Sequence, residues 1–347
     1  MSVQSARLPA RAAGKTNREK GTMSTDHERL SVGDLLTIAD LSRADVETIF
    51  ETARRLKSTP ADFSTTLNHQ TLVLIFEKPS LRTRCTFEIG VAQLGGHSIY
   101  LDHTRVRLGE RESIRDVARS IDRWAHGIVA RTYKNKSVIE LAEHAQIPVI
   151  NGLTDLLHPC QGLTDLFTMH EHFGSLSGLK VCFVGDGNNT CHSLIFACAV
   201  MGIDLTVVTP EGFEPNSRVV NSATTLCRGS GASLQIENDV GKIAGHSVIY
   251  TDTWVSMGQE SETEERTQLF SPYQVTTEMI ERAGRDTVFF HCLPAHRGAE
   301  VTAEVIDSPR SLVYQQAENR LHVQKALMHL LMGAPARDQR SLQATAG

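Results

Sequence analysis

The spacing of apolar positions along the chain changes from strand-like to helix-like within residues 71–96. Residues 72–76 are continuously apolar, which is typical of a parallel strand covered on both faces. From residue 82 to residue 94 the apolar positions recur at helical spacing, and the glycines at 95 and 96 end the pattern. A buried strand is therefore predicted to run directly into a helix.

The same alternation continues along most of the chain. Further strands are predicted at residues 98–101, 127–131, 148–151, 180–184, 205–208, 233–236, 247–251 and 287–291. Helices are predicted from near residue 42, and at residues 114–124, 137–144, 161–173, 193–201, 217–229, 276–283 and 318–332. Strand–helix–strand order predicts mostly parallel sheets, so we expect an α/β fold with two parallel-sheet domains linked by helices.

The predicted domain limits follow from this order. We expect a disordered tail at 1–30, a first domain at 31–172 and a second domain at 173–315. A C-terminal helix at 316–333 is expected to return to the first domain, ahead of a flexible tail at 334–347. The basic, Ser- and Ala-rich residues 1–30 also share the composition of a mitochondrial transit peptide, which is the alternative interpretation.

Composition narrows the class of protein. The 347 residues are 40% hydrophobic and 22% charged, with a net charge of −5 that argues against a general nucleic-acid binder. No long uncharged apolar run is present, so we expect no membrane segment. Seven scattered cysteines without a CxxC pair indicate reduced thiols, as in the cytoplasm.

Unusual polar residues follow the predicted strands. They fall at or just after the carboxyl ends of six different strands: Ser80, Arg131, His158, Asn189, Asp252 and Cys292. Because ligands of open α/β sheets bind in the crevice outside these ends, the clustering predicts one site between the domains.

The strand-to-helix loop at Ser80–Thr83 has the parts of a phosphate site. A helix N-terminus offers unpaired N–H groups and a partial positive charge, and here it also carries two hydroxyls and the Arg82 guanidinium. The alternative is an ordinary helix that Ser80 caps, with its arginines solvated.

Two other motifs allow competing readings. The GDGNN run at 185–189 suggests dinucleotide binding, but the third glycine of that motif would fall at Thr190. We therefore expect its asparagines to face the cleft. His291, Cys292 and His296 could bind zinc, but no second Cys/His pair stands at ligand spacing, so no metal is expected.

The remaining candidates also have plain structural readings. The HPCQ run at 158–161 could form a hydrogen-bonded loop, and Asp252 with Ser256 could cap a helix.

Together, six motifs closely resemble the ornithine carbamoyltransferases. FEKPSLRTR, HPCQ, VGDGNN, DTWVSMGQE, HCLPAHRG and QAENR occur in that family's order and spacing, from about residue 30 to residue 332. The resemblance implies a carbamoyl phosphate-binding domain followed by an ornithine-binding domain. It also implies a homotrimer, or a multiple of trimers, with active sites between subunits and no cofactor.

The resemblance also implies residue roles. Carbamoyl phosphate would be bound by Ser80, Leu81, Arg82, Thr83, Arg107, Arg131, His158, Gln161, Cys292, Leu293 and Arg320. L-Ornithine would be bound by Asn189, Asp252, Ser256 and Met257. The catalytic group would comprise Cys292, Arg131, His158 and Arg320.

Two positions depart from the family pattern. Leu81 stands where a threonine is usual, and Arg107 stands where many members place a glutamine in the neighbouring subunit's site. The acceptor could accordingly be an N-acylated ornithine or putrescine, although the intact SMGQE loop favours free ornithine. The sequence leaves the biosynthetic or catabolic direction open. A dehydrogenase and a non-catalytic relative are the readings outside this class.

Overall fold

The computed structural model describes residues 29–102, 107–255 and 263–333. The predictions for residues 1–28 and 334–347 lie outside these ranges. Within the ranges, the strands are β1 Thr71–Phe76, β2 His97–Leu101, β3 Gly127–Arg131, β4 Val149–Leu153, β5 Lys180–Val184, β6 Asp204–Val208, β7 Leu234–Glu237, β8 Val248–Thr251 and β9 Val288–His291.

The helices of the same ranges come before, between and after the strands. They are α1 Arg43–Ser58, α2 Leu81–Gln93, α3 Ile114–Ile121, α4 Asn135–His144, α5 Pro159–Phe173, α6 Asn189–Met201, α7 Ser217–Ser230, α8 Thr263–Phe270, α9 Thr277–Ala283, α10 Ala303–Ile306 and α11 Val313–Met332. None of the described helices combines the length and apolar character that crossing a membrane needs.

The first sheet has the strand order β2-β1-β3-β4, and all of its pairs are parallel. In the centre, Leu74 of β1 lies beside Tyr100 of β2 and Val129 of β3. The apolar run of β1 is buried from Leu72 onward, as its composition predicts. The chain places β2 on one side of β1 and then places β3 and β4 on the other side, so the strand order reverses at β1. A crevice therefore forms outside the carboxyl end of β1.

The second sheet has the order β7-β6-β5-β8-β9 and is also entirely parallel. Its reversal point is β5, which leads directly into α6. The predicted pair of parallel-sheet domains is therefore confirmed. Exact domain limits at 172/173 and 315/316 stay predictions.

Helix α5 connects the two sheets. It begins with Pro159 in its first turn, where a missing N–H costs nothing, and it ends at Gly174, whose φ is 74°. Every residue from Pro159 to Met169 is buried. Side chains of this helix therefore lie between the domains, where they can contact both halves of a site.

Helix α11 returns to the first domain, as predicted. Lys57 Nζ donates to Asn319 Oδ1 at 3.0 Å, and Lys325 Nζ donates to Gln93 Oε1 at 3.0 Å. A Cβ at Gly90 would lie 2.8 Å from Met328 Cε, so this glycine permits the close approach of α2 and α11. The helix begins at residue 313, five residues before the predicted start. Helices α8 and α10 were not predicted from the sequence.

Candidate active site

A cleft of about 800 Å³ lies between the two domains at the carboxyl ends of both sheets. It brings together most of the residues that the sequence singled out. Its lining includes Ser80, Leu81, Arg82, Thr83, Arg131, His158, Asn189, Asp252, Cys292, Leu293 and Arg320. The prediction that the strand-end residues Ser80, Arg131, His158, Asn189, Asp252 and Cys292 share one cleft is therefore confirmed, whereas their individual roles stay predictions.

The N-terminus of α2 forms one wall of the cleft. Ser80 Oγ accepts a hydrogen bond from the Thr83 N–H at 3.2 Å, so Ser80 caps the helix while facing the cleft. Arg82 lines the cleft, and burial lowers the pKa of its guanidinium. Leu81 is 73% exposed. Capping and anion binding are thus compatible at this helix end.

Two further arginines reach the same wall from other elements. Arg131 at the end of β3 is 5% exposed, and Arg320 on α11 is 3% exposed. Burial, together with the charges of Arg320 and Arg82, lowers the pKa of Arg131 to about 10, which still leaves it charged at neutral pH. Buried like charges are unfavourable unless an anion compensates them, so this wall is built to receive a multiply charged anion.

His158 caps the start of α5 beside these arginines. Its backbone N–H donates to Ser193 Oγ at 2.6 Å, which ties the loop to α6. Burial and the charges of Arg320 and Arg131 lower the pKa of its imidazole well below the usual value. The ring is therefore neutral at pH 7. Among the described residues its buried Nδ1 has no hydrogen-bond partner.

Arg320 is fixed by two neighbours from the first domain. One guanidinium nitrogen donates to Gln161 Oε1 at 2.5 Å, and the other donates to Thr83 Oγ1 at 3.2 Å. The opposite end of the Gln161 amide donates to Asp165 Oδ1 at 2.6 Å. Gln161 is itself 1% exposed and lies directly behind Arg320, which lines the cleft.

The opposite wall carries an acid and a thiol. Asp252 Oδ1 accepts from Cys292 Sγ at 3.1 Å and from the Thr253 N–H at 2.9 Å, while Oδ2 accepts from Asn188 Nδ2 at 3.0 Å. Burial and the adjacent Asp252 charge raise the pKa of the Cys292 thiol well above its usual value. Cys292 therefore stays protonated, and this wall is suited to a cationic or amine ligand.

The GDGNN loop serves packing and helix capping. Asn188 Oδ1 accepts from the Thr190 and Cys191 N–H groups at 3.0 and 3.1 Å, so those helix-end donors are satisfied. A Cβ at Gly187 would lie 2.3 Å from the Pro215 backbone nitrogen. The second glycine thus allows two backbones to approach each other, which accounts for the motif without a dinucleotide. Asn189 Nδ2 donates to the Thr154 carbonyl at 2.5 Å.

A possible metal-binding set occurs at the end of β9. Ligand atoms of Asp252, His291 and Cys292 lie within 4.8 Å of one another. However, His291 Nδ1 accepts from the Leu293 N–H at 2.9 Å, and its Nε2 lies 3.3 Å from Glu300 Oε1. His291 Nδ1 is thus engaged by the backbone, Nε2 makes no hydrogen bond within the described residues, and the Cys292 thiol is protonated, so the donor set does not favour a metal ion.

Some predicted residues lie elsewhere. Ser256 and Met257 fall outside the described residues. Arg107 is 71% exposed, pairs with Glu110 at 3.3 Å, and does not line the cleft within the described part of its own chain. Its segment is tied to the sheet, because the Leu108 N–H donates to Glu77 Oε1 at 3.0 Å.

The cleft lining also contains two charged residues that sequence reasoning missed. Lys78 is 9% exposed and its Nζ lies 4.8 Å from the centre of the Tyr133 ring. Glu300 is 1% exposed and accepts from the His296 N–H at 2.5 Å. The signal for Lys78 was its position directly after β1; that for Glu300 was its place four residues after His296, which is visible only once the loop is folded.

Family models match both halves of the chain. Residues 33–171 match the carbamoyl-P binding domain of aspartate/ornithine carbamoyltransferase, and residues 177–331 match the Asp/Orn binding domain. A relative from Thermococcus kodakarensis, named ornithine carbamoyltransferase, is 48% identical over 303 residues, which cover 86% of this chain and 96% of the relative. A relative from Pyrococcus furiosus, named ornithine carbamoyltransferase, anabolic, has the same identity and coverage.

Solved structures agree with these matches. Ornithine carbamoyltransferase from Pyrococcus furiosus superposes with a TM-score of 0.85 at 47% identity, covering 87% of this chain and 97% of that one. Anabolic ornithine carbamoyltransferase from Campylobacter jejuni gives a TM-score of 0.82 at 33% identity, covering 86% and 98%. With the cleft as described, these matches confirm the resemblance seen in the motifs: the chain belongs to the aspartate/ornithine carbamoyltransferase family.

Proposed function

We propose that the protein is an ornithine carbamoyltransferase, which transfers the carbamoyl group of carbamoyl phosphate to the δ-amine of L-ornithine. The products are L-citrulline and phosphate. The observation that carries this proposal is the division of one cleft into two walls. Three arginines and a helix N-terminus face an acid–thiol pair, so a phosphorylated donor and an amine acceptor can meet between them.

For carbamoyl phosphate, the phosphate binds to the N-terminus of α2 and to Arg131. Its partners there are Ser80, the Leu81 backbone, Arg82 and Thr83. The carbamoyl group lies next to His158, Gln161, Arg320 and the Cys292–Leu293 segment. Donors on Arg320 and a neutral His158 polarise the carbonyl and stabilise the oxyanion that develops during attack. The short Arg320–Gln161 contact supports this placement, since it orients both groups before substrate arrives.

For ornithine, Asp252 and Asn189 take part in binding the amino and carboxylate groups, together with Ser256 and Met257. The closeness of Asp252 to Cys292 supports an amine site at this point. Because the δ-amine should have a pKa near that of lysine, about 10.4, the site must select or generate its neutral form.

The chemistry is direct displacement. The neutral δ-amine attacks the carbamoyl carbon, a tetrahedral intermediate forms, and the C–O bond to phosphate breaks as the amine loses its proton. No covalent enzyme intermediate is required. A protonated Cys292 orients Asp252 and the substrate amine and does not act as the nucleophile.

Assembly, location and direction complete the proposal. We propose that the active enzyme is a homotrimer or a multiple of trimers. It acts in the cytoplasm, in the direction of arginine biosynthesis. Leu81 at the mouth of the cleft is 73% exposed, which leaves room for a neighbouring subunit to complete the site. The seven cysteines are free thiols, in keeping with a reducing compartment. The relatives named anabolic support the biosynthetic direction.

The deciding experiment supplies carbamoyl phosphate with ornithine, N-acetylornithine, putrescine or aspartate in parallel and measures the carbamoylated products. A strong preference for ornithine is expected. Preference for another amine would retain the phosphate wall and contradict the acceptor assignment. Absence of turnover with all four amines would contradict the enzymatic function itself.

A further inference from the structure

A buried carboxyl group lies behind the cleft at a junction of three elements. Asp165 on α5 is 0% exposed, and its Oδ1 accepts hydrogen bonds from two glutamine amides. Gln161, one turn earlier on α5, donates through Nε2 at 2.6 Å, and Gln316 on α11 donates through Nε2 at 2.9 Å. Asp165 lies outside the six sequence motifs.

The first amide leads to the carbamoyl phosphate wall. Gln161 donates to Asp165 with one end, so its Oε1 faces the other way, where it accepts from Arg320 at 2.5 Å. An arginine can only donate, and an ionised carboxylate can only accept. These two partners therefore fix the orientation of the amide, with its oxygen on the side of the cleft.

The second amide leads to the acid–thiol wall. Gln316 also donates to Asp165, so its Oε1 faces β9 and accepts from the His291 N–H at 2.9 Å. His291 directly precedes Cys292. Gln316 and Arg320 lie one turn apart on α11 and are 1% and 3% exposed, so the same helix carries both connections.

We propose that Asp165 is a positioning residue that sets the direction of both glutamine amides, so that Gln161 presents its oxygen to the NH₂ group of carbamoyl phosphate. This inference deepens the proposed function and rests on it. Through Gln316 the same carboxyl group holds the backbone before Cys292, and thus links the two walls. The Gln161 oxygen then recognises the amide hydrogens of the donor substrate, because Asp165 holds the Gln161 amide from behind the cleft.

This role requires a hydrogen-bond acceptor at the position of Oδ1. Burial raises the pKa of Asp165 to about 7, although hydrogen bonds from Gln161 and Gln316 favour the ionised form. An asparagine of equal size can place its carbonyl oxygen at this position and accept from both glutamine amides, whereas a leucine of similar size offers no acceptor. Without the acceptor the buried amides could turn, and the Gln161 oxygen would no longer be held toward the cleft.

The test compares carbamoyl phosphate with acetyl phosphate, which replaces the NH₂ group by a methyl group and keeps the carbonyl and the phosphate. Binding constants for both, and for inorganic phosphate, are measured by competition at about pH 8.5, where the raised carboxyl pKa leaves Asp165 mostly ionised. We expect Asp165→Leu, which removes the shared acceptor, to lower the carbamoyl-over-acetyl preference about tenfold or more, the scale of one buried hydrogen bond. Affinity for phosphate and acetyl phosphate should stay within about twofold.

Three further variants make the comparison specific. Gln161→Ala should remove the preference by itself, and Asp165→Leu added to it should cause no further loss. Asp165→Asn, which keeps an acceptor for both amides, should retain the preference. Thr168→Val is the matched control, because Thr168 is 2% exposed on the same helix and bonds to Asn319 and the Thr164 carbonyl instead of Gln161. It should leave the preference unchanged.

The outcomes distinguish the role of Gln161 in substrate binding from the positioning role of Asp165. If Gln161→Ala keeps the preference, the assigned role of Gln161 is wrong and the role of Asp165 falls with it. If Asp165→Leu keeps the preference, the proposed function stands and the positioning role is overturned. A loss in Asp165→Asn as large as that in Asp165→Leu would contradict the acceptor role. Equal weakening of all three ligands would show a merely structural role and would also overturn it. Should Asp165→Leu not fold, Asp165→Ala, which also lacks the acceptor, is measured instead with the same expectation.

Discussion

The Cys292 thiol donates to the Asp252 carboxylate, with 3.1 Å between Sγ and Oδ1. The bond joins the end of β9 to the end of β8 and holds a proton on the acid–thiol wall of the cleft. A thiol in this state is a poor nucleophile but a suitable donor.

Cys292→Ser should therefore keep substantial turnover. A serine hydroxyl can donate the same hydrogen bond, so we expect kcat to fall by no more than about tenfold, whereas Cys292→Ala should lose more. Steady-state kinetics of the two variants provide the measurement, with Cys227→Ser on α7 as control. Complete loss of activity in the serine variant, or a covalent adduct trapped at Cys292, would contradict the orienting role.

Arg131→Gln should weaken phosphate binding. The substitution removes one buried charge from the arginine wall, so the KM for carbamoyl phosphate and the inhibition constant of inorganic phosphate should both rise about tenfold to a hundredfold. The KM for ornithine should change much less. Arg228→Gln, at an exposed position of α7, is the control and should leave both constants unchanged. An unchanged phosphate constant in Arg131→Gln would refute the anion site.

His158 should make the folded state sensitive to acid. Burial and the charges of Arg320 and Arg131 lower its pKa in the folded state, so below about pH 6.5 the unfolded chain binds a proton that the folded chain does not. Stability from this residue is complete above that pH. It falls by about 1.4 kcal/mol for each further unit of acidification, until the folded-state pKa is reached.

Urea unfolding midpoints of wild type and His158→Asn, measured from pH 8 down to pH 5, test this expectation. The variant lacks the titrating ring, so the difference between the two curves isolates His158 from Asp165, whose raised pKa acts in the opposite direction. Parallel curves for the two proteins would show that His158 titrates normally in the folded state.

Gly187→Ala and Gly229→Ala should have different effects on the stability of the fold. A methyl group at Gly187 would lie 2.3 Å from the Pro215 nitrogen, so we expect a loss of about 1–3 kcal/mol in stability and a misplaced Asn188. Gly229 lies in α7 with nothing within 4 Å of its added Cβ, so alanine there should be neutral or stabilise by up to about 1 kcal/mol. Thermal unfolding of both variants makes the comparison, and equal effects would contradict the packing role of Gly187.

Arg107 should act on a neighbouring subunit. If it contributes to the carbamoyl phosphate site across a trimer interface, Arg107→Ala should raise the KM for carbamoyl phosphate. Mixing Arg107→Ala chains with Arg320→Gln chains should restore part of the activity, because some hybrid sites then contain both arginines. An unchanged KM in Arg107→Ala, or no recovery in hybrids, would show that Arg107 does not reach another subunit.

The order of elements was predictable from local pattern, because buried parallel strands are continuously apolar and helices change the period. The strand β3 was predicted to the residue. Helix α10 was missed, since four residues carry too little periodic signal, and α11 was shortened because Gln316 in its first turn is polar yet buried. The burial of Gln316 depends on Asp165 in α5, which is 151 residues away and leaves no local trace.

The position of the cleft and some of its residues were also predictable from the sequence. Parallel-strand ends converge wherever the strand order reverses, so Arg131, Asp252 and Cys292 could be placed together from the sequence. Asp165 and Glu300 could not, because each acts through a contact that exists only in the folded chain: the Gln161 amide in one case and the His291 ring in the other.

The return of α11 has a consequence for the order in which the protein becomes competent. Arg320 bonds to Gln161 and Thr83, which are 159 and 237 residues away along the chain, so the donor pocket combines groups that are synthesised far apart in time. A nascent chain that has folded only its first sheet lacks this guanidinium and should bind carbamoyl phosphate poorly. Ligand binding therefore reports that synthesis has passed α11, and the substrate stabilises the finished chain in preference to its unfinished precursors.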